Sequence, residues 1–525
     1  MTRILVAGLC PLPLERARKT LGPGMRSWQL AAGLARTGHE VHLVAMMIPG
    51  AYDHEPSRRE DHEGIRIERV DDKEFFDLGS MIRRIGDLRP DALVGATAYG
   101  SYVLARTEPR VPFWADQFGH FMAEAQAKAQ LEGANWPVAR FYRHLEPVLR
   151  TADKISTVSR RQRYAAVGEL GLVGRLTAET CGYEMTAVMP CALMPPQEAV
   201  IRPMLRPRRI PREALVVFWS GGYNVWSDVD TLFRGLDSAM AQEPAIHFVS
   251  TGGEIGGHDV RTYDLFQKLV AGSRFRDRYH LLGWIASEDV PSHLAEADLG
   301  VLTDRPMYEG RLGHKNRIVQ WMGAGLPVAY NDVGDLGEEL RTHELAFVFD
   351  SGDAEALARS ILSAARDRSL LREMAERAKL YALERFTIEA TTRELAAWAD
   401  NPAYAPDRDL RRRTFGPADF DDQAPGLPAP VGDLGTANET AVLRRVRQLE
   451  VHCRELRRQL DDLAMVADRR VRAAEDRVIE TDSRVHELGR RLGEIHNSKM
   501  WRAWMTYLAV RRWITAPFGR REDRP

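Results

Sequence analysis

Along the first 400 positions, short apolar runs alternate with stretches of helical period. Residues 3–8 (Arg-Ile-Leu-Val-Ala-Gly) form an apolar run closed by glycine, the pattern of a parallel strand buried on both faces. A loop rich in Pro and Arg leads to Gly22-Pro23-Gly24, then to a helical pattern from Met25 to Arg36 that Gly38-His39 stops. Strands are predicted next over 40–45, 65–70, 91–95, 111–115 and 153–158, with helices over 79–88 and 99–106. A Pro/Arg-rich segment, Ile201 to Arg212, interrupts the pattern before it restarts. Strands then follow over 214–220, 245–250, 278–283, 298–303 and 326–330, with helices over about 228–241, 315–324, 353–366, 369–385 and 387–399. Strands alternating with helices imply βαβ units and parallel sheets covered on both faces. The expected architecture is two successive α/β domains, residues 1–200 and 201–385.

The pattern changes twice more. Residues 401–440 carry Pro402, Pro406, Pro417, Pro425, Pro428 and Pro430 among Asp, Gly and Ala, which reads as a linker without a core. Over 441–497, apolar or small residues recur in alternating steps of four and three from Val442 to Ile495, with one stutter at Ala467–Val471. This predicts a helical coiled coil roughly 80 Å long, through which the chain would form a homo-oligomer. The tail, 498–525, interleaves Trp501, Trp504, Tyr507 and Trp513 with Arg502, Arg511 and Arg512. It reads either as an interfacial helix on an anionic membrane surface, or as one whose indoles cap the rod or dock on a partner.

Composition narrows the class. With 44% hydrophobic residues the chain can fill large cores, and 73 Lys+Arg against 74 Asp+Glu leave no global field to draw in nucleic acid. Cys10, Cys181, Cys191 and Cys453 are too few and scattered for a disulfide framework or a zinc site. No apolar run approaches the ~20 residues of a membrane span, and the N-terminus reads as a strand instead of a leader. The expected location is cytoplasmic, with peripheral contact on the inner face of the membrane if the tail binds lipid.

Ligands of open parallel sheets bind beyond the carboxyl ends of the strands. Gly24, before a helix, could let backbone amides approach an anion, although the spacing fails as a dinucleotide fingerprint. Gly221-Gly222 directly follows strand 214–220 and suits a diphosphate or, equally, a tight turn. Asp228-Val229-Asp230 falls in a first helical turn, where capping accounts for the acids, so no metal site is assigned there. The richest segment is 308–328, where His314, Lys315 and Arg317 open a helix and Gln320 lies one turn beyond Asn316 and Arg317.

These pieces resemble the GT-B-fold glycosyltransferases of the retaining, group 1 (family 4) type. The likeness spans about residues 1–400 and is carried by the first loop, the Gly221-Gly222 turn, Leu282-Gly283-Trp284, Ala297-Asp298 and, above all, Asn316 to Val328. It implies two Rossmann-like domains facing a cleft, with a helix over 386–400 crossing back to the first. It also implies that Arg317 holds a donor diphosphate, with Asn316 and Lys315 beside it and Trp284 and Ile285 on the base side. Gln320 stands where the family commonly has a Glu that contacts ribose. The basic pair usual after the first strand of the second domain is replaced by Tyr223, Asn224 and Trp226. Strand 111–115 leads to Asp116 and His120, similar to the loop that faces sugar and acceptor, so either could order the acceptor hydroxyl or take its proton.

The implied activity is metal-independent, retaining transfer of a hexose from a nucleotide-diphosphate sugar, with no resident cofactor. Rod and tail point to a glycan or lipid-linked oligosaccharide acceptor, as in bacterial surface polysaccharide assembly. A catalytically degenerate platform on a coiled coil and a sugar-nucleotide epimerase are the alternatives.

Overall fold

The computed structural model describes residues 1–409 apart from 20, 55, 196–199 and 257. The predicted rod, the tail and the linker beyond residue 409 lie outside the described residues.

The first eight strands are β1 (Arg3–Cys10), β2 (Glu40–Met47), β3 (Arg59–His62), β4 (Ile65–Val70), β5 (Ala92–Gly95), β6 (Phe113–Gln117), β7 (Lys154–Thr157) and β8 (Thr186–Val188). They form one sheet in the order β3-β4-β2-β1-β5-β6-β7-β8. All pairings are parallel except β3–β4, an edge hairpin. Central β1 is buried at every position after Arg3, hence its unbroken apolar run. The hairpin escaped the sequence pattern because Arg59-Glu60-Asp61-His62 has no apolar face; Glu63 and Gly64, with φ of 48° and 77°, turn it.

The other six strands are β9 (Leu215–Ser220), β10 (Ile246–Thr251), β11 (Tyr279–Gly283), β12 (Leu299–Leu302), β13 (Val328–Asn331) and β14 (Phe347–Phe349). Their order is β11-β10-β9-β12-β13-β14, parallel throughout. Phe218, Trp219 and Trp321 sit in the core of this second domain, while the first sheet packs a core on each face.

Helix Gly22–Arg36 starts three residues before the predicted Met25, taking Gly22-Pro23-Gly24 into its first turn. Proline is tolerated there because its missing N–H would have no acceptor anyway. Gly24 is required by close approach: a Cβ would lie 1.7 Å from the Pro11 carbonyl oxygen. Helices Phe121–Glu132, Trp136–Thr151 and Arg160–Leu172 were not predicted. In the first of them Ala123, Ala125, Ala127 and Ala129 are all buried, and alanine at every second position hides the helical period.

Helix Ile388–Asp400 packs on the first sheet. Gly33 admits Thr392, whose Oγ1 would be 2.2 Å from a Cβ, Gln29 Nε2 donates to Thr391 Oγ1 at 2.8 Å, and Trp398 meets Trp114 edge-on. The chain beyond it corrects the linker expectation: residues 401–409 are docked on the first domain. Asp407 pairs with buried Arg175 at 2.5 and 2.9 Å, and the Ala405 N–H donates to Asp153 at 2.8 Å.

Candidate active site

At the carboxyl end of β9 the chain turns through Gly221, whose φ of +84° suits glycine alone, into Gly222. Gly222 is packed closely as well, since a Cβ there would meet Ile255 at 2.4 Å and Trp284 at 3.4 Å. Arg317, in the first turn of helix Asn316–Gly323, reaches this turn. Its Nη2 donates to the Gly222 carbonyl at 3.0 Å and its guanidinium lies 4.6 Å over the Trp219 ring, which stacks on Tyr223. Arg317 Nη1 is buried and has no hydrogen-bond partner. Burial lowers its pKa to about 10, so it stays charged at neutral pH. A buried, charged donor without an acceptor calls for an anion.

Two helix N-termini converge on this place. Asn316 Nδ2 donates to Met25 Sδ at 3.0 Å, which sets the first turn of Gly22–Arg36 against the first turn of Asn316–Gly323. Neither helix has a side-chain cap. In Gly22–Arg36 the N–H groups of Gly22 and Gly24 therefore have no intrahelical acceptor, and both dipoles present their positive ends.

Lys315 points elsewhere. Its ammonium sits 3.2 Å from Asp304 and 3.3 Å from Glu309, and all three side chains are nearly buried. Burial raises the Glu309 pKa to about 7 against the pull of Lys315, and Tyr330, beside Asp304 at 3.3 Å, is raised further. The charge expected at the diphosphate is thus neutralised within this cluster. Gln320 is also turned from the turn at Gly222: it accepts from Met194 N and donates to the Ala192 carbonyl and to Asn316 Oδ1.

Two expected first-domain residues are engaged by other groups of the protein. Asp116 is fully buried, and its carboxylate takes Arg26 Nη2 at 2.6 Å, Arg26 Nε at 3.0 Å, Ser156 Oγ at 2.7 Å and the Thr97 N–H at 3.3 Å. With every acceptor site engaged, its carboxylate serves in this structure as counter-ion to a buried guanidinium. His120 is the N-cap of helix Phe121–Glu132, accepting from Ala123 N at Nδ1, while Nε2 faces Glu169 at 3.2 Å. Both ring nitrogens are therefore occupied. Beside it a cleft of about 790 Å³ opens between the domains, lined by Gln126, Gln130 and Asn135 from one and Tyr308 from the other.

Trp284 donates from its indole to the Glu254 carbonyl at 2.7 Å, with Lys19 lying over its ring at 5.3 Å; Ile285 follows it, half-buried. Lys19 belongs to the loop after β1, which reaches the second domain through Ala17 and Ser287: each donates its backbone N–H to the other residue, at 3.2 Å. Asp335 of the second domain accepts the Arg160 N–H at 2.7 Å and pairs with Arg161 at 3.0 Å, capping a first-domain helix. Asp228 caps helix Val229–Gln242 and Asp230 pairs with Arg234. Gly24, Asn316, Arg317, Gly221, Gly222 and Trp284 thus border the space between the domains; Asp116, Lys315 and Gln320 support it from behind. Trp219, the platform under Arg317, was missed; its place at a strand end, just before the glycine pair, is the signal that could have found it.

Comparison with known proteins bears on family and fold. A glycosyl transferase 4-like domain model matches residues 22–177, and a glycosyl transferases group 1 model matches residues 214–367. Among solved structures, sucrose-phosphate synthase from Thermosynechococcus elongatus is similar at 16% identity, with 76% of this chain and 98% of that one covered and a TM-score of 0.56. Anabaena Alr3699/HepE in complex with UDP and glucose shares 16% identity over 76% and 100% of the two chains, with a TM-score of 0.52. The structure described as trehalose-6-phosphate from E. coli bound with UDP-2-fluoro glucose shares 10% over 77% and 100%, with a TM-score of 0.56. No curated protein matches the sequence significantly. The two matched halves and the paired Rossmann-like sheets place this chain among the GT-B-fold group 1 glycosyltransferases.

Proposed function

We propose that the chain transfers a hexose from a nucleoside-diphosphate sugar to a glycan or lipid-linked oligosaccharide acceptor with retention at the anomeric carbon, in bacterial surface polysaccharide assembly. One observation carries the donor half of this reading: Arg317 Nη1 is buried and unpartnered in the first turn of an uncapped helix, against which Asn316 and Met25 set a second uncapped helix. A diphosphate would receive hydrogen bonds from the guanidinium and from first-turn amides, and these strengthen as the leaving group gains charge. In the transfer step the bond from the anomeric carbon to the diphosphate oxygen breaks, with both electrons leaving on that oxygen. The acceptor oxygen bonds to the same carbon. Because Asp116 and His120 are both engaged, we assign the departing phosphate oxygen as the site that takes the acceptor proton.

The cleft beside His120 suits the acceptor. Its side-chain amides from Gln126, Gln130 and Asn135 and the exposed ring of Tyr308 fit the hydroxyls and C–H faces of neutral sugars, and its volume falls within the ~300–1,000 Å³ range of ligand sites. A coiled coil over 441–497 and an interfacial tail over 498–525, both expected from sequence, would bring self-association and a membrane address to this reading. No described helix is long and apolar enough to cross a membrane.

A second reading, a degenerate assembly platform, is favoured by the neutralised Lys315 and by Gln320 facing the domain crossing. Calorimetric titration of UDP, GDP and ADP separates the two. Glycosyl transfer expects micromolar binding of one nucleotide and a loss of about 10- to 100-fold or more in Arg317→Ala. No binding by the folded wild-type chain would favour the platform.

A further inference from the structure

The chain crosses between the domains near residues 190–194 and again near Phe386, and the crossings touch: the Leu193 N–H donates to the Phe386 carbonyl at 2.6 Å. The first crossing is held from both sides. The Pro190 carbonyl accepts from Arg26 Nη1 at 3.1 Å and Gln29 Nε2 at 2.9 Å, both on helix Gly22–Arg36. From the second domain, Gln320 Nε2 donates to the Ala192 carbonyl at 2.8 Å while the Met194 N–H donates to Gln320 Oε1 at 3.0 Å. Asn316 Oδ1 takes a bond from the same amide nitrogen at 3.0 Å. Leu193 fills the space beside Gly323, where a Cβ would come within 2.3 Å of it.

We propose that Gln320 is a positioning residue, an amide clamp that fixes the domain crossing to the helix carrying Arg317 and thereby sets the closure of the donor cleft. Its kinetic consequence rests on the glycosyl-transfer reading; its structural consequence does not. The chemistry explains the residue type. The clamp needs an acceptor for Met194 and donors for Ala192 and Asn316, and a primary amide supplies both in one planar group. A carboxylate offers an acceptor to Met194 but sets a negative oxygen, in place of Nε2, against two other acceptors, and that repulsion opens the clamp.

The test uses the full chain as wild type, Gln320→Glu and Gln320→Met, at pH 8 and pH 5.5. Its readouts are hydrogen exchange at Leu193 and Met194, melting temperature, and donor KM and kcat. At pH 8 both variants should exchange at these amides about 10-fold faster than wild type or more, the scale of leaving a buried polar group unpaired, with β10 amides unchanged. Donor KM should rise more than kcat falls. At pH 5.5 the Glu variant should recover toward wild type, because a protonated carboxyl both donates and accepts, whereas the Met variant should not. The elements packed around the clamp carry Arg26 with Asp116, Cys191, His314, Lys315 with Asp304 and Glu309, Arg317, Lys379 and Arg385. All are present in every variant, so ratios to wild type at each pH isolate residue 320. Wild-type exchange in both variants at both pH values would overturn the clamp, as would equal behaviour of Glu and Met at pH 5.5. Absent turnover in the wild type would sink the glycosyl-transfer reading instead, and exchange would still decide the clamp.

Discussion

Replacing Asp116 by alanine should unfold the first domain far more readily while leaving the chemistry of any properly folded fraction intact. The carboxylate is fully buried and receives two guanidinium bonds from Arg26, itself 1% exposed. Without it Arg26 keeps only the neutral acceptors Gln29 and Pro190 and becomes an uncompensated buried charge. Breaking a buried pair in this way costs about 3–5 kcal/mol. For a domain of this size, at ~2–4 °C per kcal/mol, the melting temperature should fall by roughly 10 °C. The double change Arg26→Met with Asp116→Leu should recover much of the loss, since an apolar pair of similar volume removes both charges together. Denaturation is followed by tryptophan fluorescence, to which Trp114 on the same strand contributes: it donates to Ser156 Oγ, which in turn donates to Asp116. A variant melting within about 2 °C of wild type, yet with transfer reduced beyond 100-fold, would refute this reasoning and return Asp116 to the role of acceptor base.

Glu309 supplies a pH signature. Its folded pKa, about 7, lies above the unfolded value of 4.5, so the native state binds the extra proton between those limits. Its contribution to stability should therefore be complete below pH 4.5 and decline as pH rises toward 7, by at most about 1.4 kcal/mol per pH unit. Glu309→Gln should remove that slope, and an unchanged slope in denaturant midpoints would contradict the assignment. Asp407→Ala leaves Arg175 buried without its carboxylate and should cost about 3 kcal/mol or more. A chain ending at residue 400 should lose as much, whereas equal melting of both forms with wild type would mean that 401–409 adds nothing.

The closed interface explains why the expected residues divide as they do. Ala17 with Ser287, Asp335 with Arg160 and Arg161, and Ser159 with the Leu312 carbonyl bind the two domains directly, in addition to the clamp at Gln320. Residues beside these contacts serve the closure itself, while Arg317, with its Nη1 unpartnered, remains available to a ligand. Negative charge from a nucleoside diphosphate would thus complete a site whose walls are already in contact.

Much of this was legible in the chain. Unbroken apolar runs such as Ile4 to Ala7 announce buried parallel strands, and helical periods between them announce crossovers, because burial on two faces and on one stripe leave different periodicities. The segment from Asn316 to Val328 reveals its helix and its cation for the same local reason. The Ala-rich helix Phe121–Glu132 and the polar hairpin β3–β4 carry no such periodicity, so tertiary packing decides them. Function of individual side chains was less accessible still. Asp116 and Arg26 are ninety positions apart. Sequence by itself determined the periodic elements, the paired Rossmann-like domains and the candidate anion site, since those follow from local residue order. Only the tertiary structure decided which charges are neutralised and which stay free, because a buried ion pair depends on side chains that distant segments bring together.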